Sequence, residues 1–97
     1  MPIVNELLQE KRQEILQIAA KHGAYNVRVF GSVARGEDKA DSDIDFLIDV
    51  GSHHSPWFPA GLIIDLEELL GRKVDVAEPD NLQQCIREQV LQEAIPL

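Results

Sequence analysis

The sequence predicts an α+β (mixed α/β) domain: a small mixed sheet of three to four strands with helices packed on one face. Three observations carry that prediction. The chain has 97 residues, which suits one domain with a modest core. Three short runs rich in β-branched and apolar residues, at 27–30, Ile44–Val50 and Val74–Ala77, read as strands. Segments with helical spacing alternate with them, so the order is α-β-(short α)-β-α-β-α. Helices on one face would leave the other open, and Asp43 and Asp45 point towards that open face.

Each element has its own warrant. Residues 3–22 have helical spacing, with Leu7, Leu8, Ile15, Ile18 and Ala19 on one stripe that Lys11 and Arg12 interrupt. Gly23 is placed to cap that helix. The strand at 27–30 runs into Gly31-Ser32, and one helical turn follows at 33–36. A polar loop at 37–42 leads to the strongest strand, which Gly51 ends. An irregular loop at 52–59 carries His53, His54, Trp57 and Phe58. Leu62, Ile63, Leu66, Leu69 and Leu70 make the next helix, and Gly71 stops it. After the third strand, Pro79-Asp80-Asn81 forms a turn and cap. Leu82, Ile86, Val90 and Ala94 then line a last helix, which Pro96 prevents from continuing. Cys85 on that helix is expected to be a small buried apolar residue.

Composition narrows the class. Hydrophobic residues make up 44% and charged residues 27%, which argues against disorder. The formal net charge of −8 argues against direct binding of a nucleic-acid backbone, which needs a basic stripe. It suits metal ions or a basic protein partner. A single cysteine excludes an intramolecular disulfide and fits a reducing, cytoplasmic setting. No signal-peptide pattern opens the chain, and no apolar run reaches the roughly 20 residues that span a bilayer. Residues 1–97 are read as a single domain.

The chemistry concentrates in VRVFGSVARGEDKADSDIDFLIDV, residues 27–50. Asp43 and Asp45 share a strand face with Cα atoms about 6.6 Å apart, and Ile44 points away. Val74-Asp75-Val76 places another carboxylate on a strand. If that strand neighbours Ile44–Val50, its axis lies about 4.8 Å away and Asp75 joins the pair. Two unit charges about 5 Å apart repel by about 3 kcal/mol at an effective dielectric near 20. Three such carboxylates need a cation, or one of them keeps its proton. Hard oxygen ligands select Mg²⁺, with Mn²⁺ as the alternative. Two ions roughly 3.5–4 Å apart stabilise the attacking and leaving oxygens of an in-line phosphoryl displacement. Each carboxylate also has a plainer reading: Asp43 as a loop cap, Asp75 as a solvated residue on an open face. Asp49 shares the face of Asp45 and reads as a solvated strand end.

Gly31 permits a tight turn and close backbone approach by a ligand. Ser32 opens a helical turn whose N–H groups bind anions, and its hydroxyl adds a donor. Arg35 projects from the same turn, where a guanidinium can donate two parallel hydrogen bonds to a phosphate. A plain strand-to-helix turn, with Ser32 as N-cap and Arg35 in solvent, is the competing interpretation. The joint presence of Gly-Ser, Arg, Asp-x-Asp and a later strand Asp favours a nucleoside triphosphate site.

Gly31-Ser32, then Asp43-Ile44-Asp45 about ten residues on, then Asp75, resembles the DNA polymerase β-like nucleotidyltransferase superfamily. The fuller string resembles its minimal nucleotidyltransferase subfamily, and the resemblance covers nearly the whole chain. It implies a nucleotidyltransferase fold like the polymerase β palm. It implies that Gly31 and Ser32 hold the β- and γ-phosphates of ATP or another NTP, with Arg35 contacting phosphate. It implies that Asp43, Asp45 and Asp75 bind two Mg²⁺ ions and that Asp75 is also the general base. The implied reaction is transfer of NMP to a hydroxyl. The implied partner is a HEPN-domain toxin, silenced by AMP transfer to one of its tyrosines, with this chain as the antitoxin.

Two classes of function follow. One is an Mg²⁺-dependent nucleotidyltransferase, acting as a protein adenylyltransferase. The other is a binding module that neutralises its partner by docking alone. Modification of a small molecule ranks below both, since no further substrate-binding domain is visible. A partner or second copy would complete the site, and the 52–59 loop is a candidate contact because aromatic residues favour interface hot spots. The Glu- and Gln-rich helix faces read as solvated.

Overall fold

The computed structural model describes residues 6–37, 39, 42–51 and 58–97. The first helical segment is α1 (Glu6–Glu10) and α2 (Arg12–Lys21), separated at Lys11. The separation is slight: Lys11 N–H still donates to the Leu7 carbonyl, and Ile15 N–H to the Lys11 carbonyl. Leu8, Ile15 and Ala19 are the buried stripe, so the two cations in the sequence pattern mark the joint. Strand β1 (Ala24–Phe30) starts three residues earlier than its β-branched run suggests. Its extra length contains a register shift between Tyr25 and Arg28, with Asn26 at φ 52°. Helix α3 is one turn (Ser32–Arg35), and β2 spans Ile44–Val50.

Helix α4 (Ala60–Leu70) buries Leu62, Leu66 and Leu70 and leads to β3 (Val74–Ala77). A 3-10 turn (Pro79–Asn81) precedes α5 (Gln84–Glu93), and the chain closes with β4 (Ile95–Pro96). The four strands lie in the order β3-β2-β1-β4. β1 is antiparallel to both β2 and β4, and β2 is parallel to β3 through the α4 crossover. Pro96 therefore does more than end a helix. It sits on an edge strand opposite Arg28, where its missing N–H costs no central ladder bond.

The core lies between the helices and one sheet face. Ile44, Phe46 and Ile48 of β2, Val27 and Val29 of β1, and Val33 of α3 meet Leu8, Ile15, Leu62 and Leu66 from the helices. At α2 and α4, His22 Nε2 lies 2.7 Å from Asp65 Oδ2. A Cβ at Gly61 would come 3.0 Å from His22 Cε1, so glycine admits the imidazole there. The His22 contact holds the Asp65 carboxyl below its ordinary value.

Several expectations are corrected. The second sheet face is open at Asp43 and Asp75, which are exposed, but not at its middle, where Leu47 is fully buried. The last helix does not bury the stripe Leu82, Ile86, Val90 and Ala94. Leu82 and Ala94 flank it, Ile86 is exposed, and only Val90 is buried. Cys85 is exposed rather than buried. Phe58 packs against the core, while His53, His54 and Trp57 lie outside the described residues.

Candidate active site

The site is assembled where β1 ends and β2 begins. β1 and β2 run antiparallel, with Phe30 opposite Asp45, so the turn after β1 returns over the carboxylate end of β2. Gly31 has φ 74° and ψ −150°, a region essentially reserved for glycine. A side chain there would also collide with the Asp45 carboxylate, since an added Cβ would fall on Asp45 Oδ2. The turn is therefore seated directly on the acidic group. Val33, fully in the core, anchors it. Ser32 is the first residue of α3 rather than its cap, which is Gly31.

β2 and β3 are parallel, and Asp45 is the register partner of Asp75. Partners in a parallel pair point to the same face, so the two carboxylates are neighbours. Asp43 lies just before β2, two residues from Asp45 and on the same side by alternation. The electrostatics follow from this crowding. Burial, then the charges of Asp75 and Asp43, push the Asp45 carboxyl up to about 6, and Glu93 adds to the effect while Arg35 opposes it.

Asp43 and Asp75 thus flank a half-buried Asp45 carboxyl whose ionisation burial and their charges oppose, which makes three hard oxygen donors in all. That donor set fits a divalent cation such as Mg²⁺. Among the described residues no three acidic, His or Cys side chains are already closed into a cage, so Asp43, Asp45 and Asp75 would have to converge on an ion.

Arg35 is exposed but not left in solvent. Its Nη1 donates to Glu93 Oε1 at 2.6 Å, and its Nε donates to Glu37 Oε2 at 3.1 Å. These carboxylates, Glu93 first, raise the guanidinium further above its ordinary value. Glu93 also accepts from the Gly31 N–H at 2.8 Å through Oε2. The solvated-face reading fails for Glu93, whose side chain is only 18% exposed. No local pattern marks it, because its partners lie 62 and 58 residues away.

Three more residues, Arg72, Arg28 and Asn26, escape the sequence reading. Arg72, after α4, donates from Nη2 to the carbonyls of Ser42 (2.6 Å) and Lys39 (2.9 Å). It thereby holds Lys39 and Ser42, the latter next to Asp43. Arg28 Nη2 donates to Asp49 Oδ1 at 3.1 Å, and Asn26 Nδ2 donates to Asp49 Oδ2 at 2.8 Å. Asp49 is thus a β1–β2 strut rather than a solvated strand end.

Comparison with known proteins places the fold in a family. The family model described as "Nucleotidyltransferase domain" matches residues 8–97. A Methanocaldococcus jannaschii protein named "Putative protein adenylyltransferase" is 36% identical over 88 residues, covering 91% of this chain and 95% of the relative. The protein adenylyltransferase MntA of Thermococcus cleftensis is 34% identical over 92 residues, covering 95% and 90%. A solved "putative minimal nucleotidyltransferase" superposes with TM-score 0.84 at 48% identity, over 95% of this chain and 94% of that one. A toxin–antitoxin complex crystallised with AMP-PNP shares the fold at TM-score 0.73 and 19% identity, over 87% and 69% of the two chains. With a family model spanning nearly all of it and relatives matched over most of their length, this chain belongs to the nucleotidyltransferase domain family.

Proposed function

We propose that the chain is an Mg²⁺-dependent protein adenylyltransferase that moves AMP from ATP to a hydroxyl of a partner toxin, and serves as that toxin's antitoxin. The observation that carries the reading is the Gly31 turn lying on Asp45 while Asp45 pairs in register with Asp75. A polyphosphate on the turn would present its α-phosphorus to the carboxylates. Relatives named protein adenylyltransferase support the choice of AMP and of a protein acceptor.

In this reading Gly31 N–H, Ser32 and Arg35 orient the β- and γ-phosphates. Asp43, Asp45 and Asp75 would hold the metal, which when bound would supply Lewis-acid stabilisation of the charge on the phosphoryl oxygens. Asp75 takes the proton from the acceptor hydroxyl. The hydroxyl oxygen bonds to the α-phosphorus, the α–β bridging P–O bond breaks, and pyrophosphate leaves. The acceptor is a tyrosine of a HEPN-domain toxin, and the setting is cytoplasmic.

The test is transfer of label. Incubation with the co-purified partner, Mg²⁺ and α-labelled ATP should label the partner. Asp43→Asn and Asp45→Asn should each lower transfer by 10²-fold or more, since each removes a metal-binding charge (order of magnitude, ~3 kcal/mol). If both variants still neutralise the partner in cells, neutralisation proceeds by docking alone and the catalytic account fails.

A further inference from the structure

We propose that the Glu93 carboxylate is a resident competitor for the triphosphate seat, which ATP must displace before it can bind fully. The inference rests on the phosphate-turn reading above and adds a regulatory residue to it.

The geometry is that of bidentate anion recognition. One carboxylate oxygen accepts from the Gly31 N–H at 2.8 Å, and the other accepts from Arg35 Nη1 at 2.6 Å. Both belong to the groups assigned to phosphate oxygens, and the Gly31 N–H has no second proton to offer. A donor engaged by Glu93 cannot make a full bond to phosphate, and two anions in one seat repel. A polyphosphate carries more charge than one carboxylate, so it is the stronger claimant.

The rest of α5 allows the exchange. Val90 is its only buried side chain, while Ile86 and Leu91 are exposed. Ala94, at φ −63° and ψ 137°, is an extended link between α5 and β4. β4 is fixed to β1 through Ile95 opposite Val29. The last turn of α5 can therefore move Glu93 aside while β4 stays paired. ATP binding and release of the end of α5 are then one event.

Glu93→Gln is the test, because it keeps the shape and removes the charge. ATP affinity, measured by calorimetry with Mg²⁺ present, should tighten roughly fivefold or more, while the melting temperature without nucleotide falls. Unchanged or weaker affinity overturns the proposal. In the weaker case Glu93 assists the bound state, for instance as a metal ligand. Ser32→Ala and Arg35→Ala, run beside it, separate the two failures. If neither weakens ATP binding, the phosphate-turn reading is wrong. If both weaken it and Glu93→Gln does not strengthen it, only the role of Glu93 is wrong. Should the variant not fold, hydrogen exchange on the wild-type chain decides. Faster exchange in residues 90–94 on adding ATP supports displacement, and equal or slower exchange overturns it.

Discussion

At the scale of single residues, Gly31 carries two constraints that no other amino acid meets. Its dihedrals suit glycine alone, and its missing Cβ leaves the space that the Asp45 carboxylate occupies. Gly31→Ala should therefore cost about 1–3 kcal/mol of stability from the backbone conformation alone. Denaturant titration measures that loss, and nucleotide binding should fall in parallel because the turn must lift off Asp45. Full stability in this variant would mean that the turn relaxes easily, and would weaken its assignment as a rigid phosphate seat. Gly31-Ser32 was readable as a special turn only together with Arg35, Asp43, Asp45 and Asp75, because a Gly-Ser pair by itself suits any strand-to-helix turn. The contact with Asp45 was not, because it depends on β1 and β2 being antiparallel neighbours.

At the scale of elements, strands supply the carboxylates and short connections aim them. Asp45 and Asp75 are held by the β2–β3 register, whereas Asp43 sits just outside β2 and depends on its loop. Arg72 ties Ser42 and Lys39, just before Asp43, through their carbonyls. Arg72→Ala should lower the rate of transfer about tenfold or more through misplacement of Asp43, with about 1–3 kcal/mol lost in stability from its hydrogen bonds. Arg72→Lys should not restore the rate, since an ammonium cannot reproduce the planar fork. Comparing turnover with thermal unfolding checks both; lost stability with unchanged turnover of the folded protein would make Arg72 a structural residue only. The buried stripe of α4 was visible in the sequence because its leucines follow helical spacing. The stripe written for α5 misled, because the helix begins two residues later and lies largely in solvent.

For the whole molecule, burial of Asp45 among other acidic groups makes stability depend on pH in a way that a cation should reverse. Asp45 titrates at about 6 in the folded chain against an ordinary 3.8, so the folded state holds an extra proton between those values. Stability from this group is therefore present at low pH and is lost as pH rises from about 4 to about 6. Asp65 has the opposite sign: its depressed titration means its contribution is lost on acidification. In melting curves across pH, Asp45→Asn should remove a fall on the order of 2 kcal/mol over the Asp45 window. Mg²⁺ should stabilise the wild-type chain more at pH 7.5 than at pH 5, because the ion favours ionised carboxylates. Parallel pH profiles for wild type and variant would remove Asp45 from the acidic cluster.

The sequence alone determined the alternation of helices and strands, the Gly-Ser turn, the spacing to Asp43 and Asp45, and the strand carrying Asp75. These rest on periodicity and local chain stereochemistry, which act over a few residues. Tertiary structure decided what distance along the chain hides. It made Asp75 the neighbour of Asp45, bonded Arg72 to the Ser42 carbonyl beside Asp43, and brought Glu93 onto the turn some sixty residues earlier. Those contacts exist only once strand order and crossover are set by burial of the shared core, and charged side chains then meet where the packed backbone leaves them.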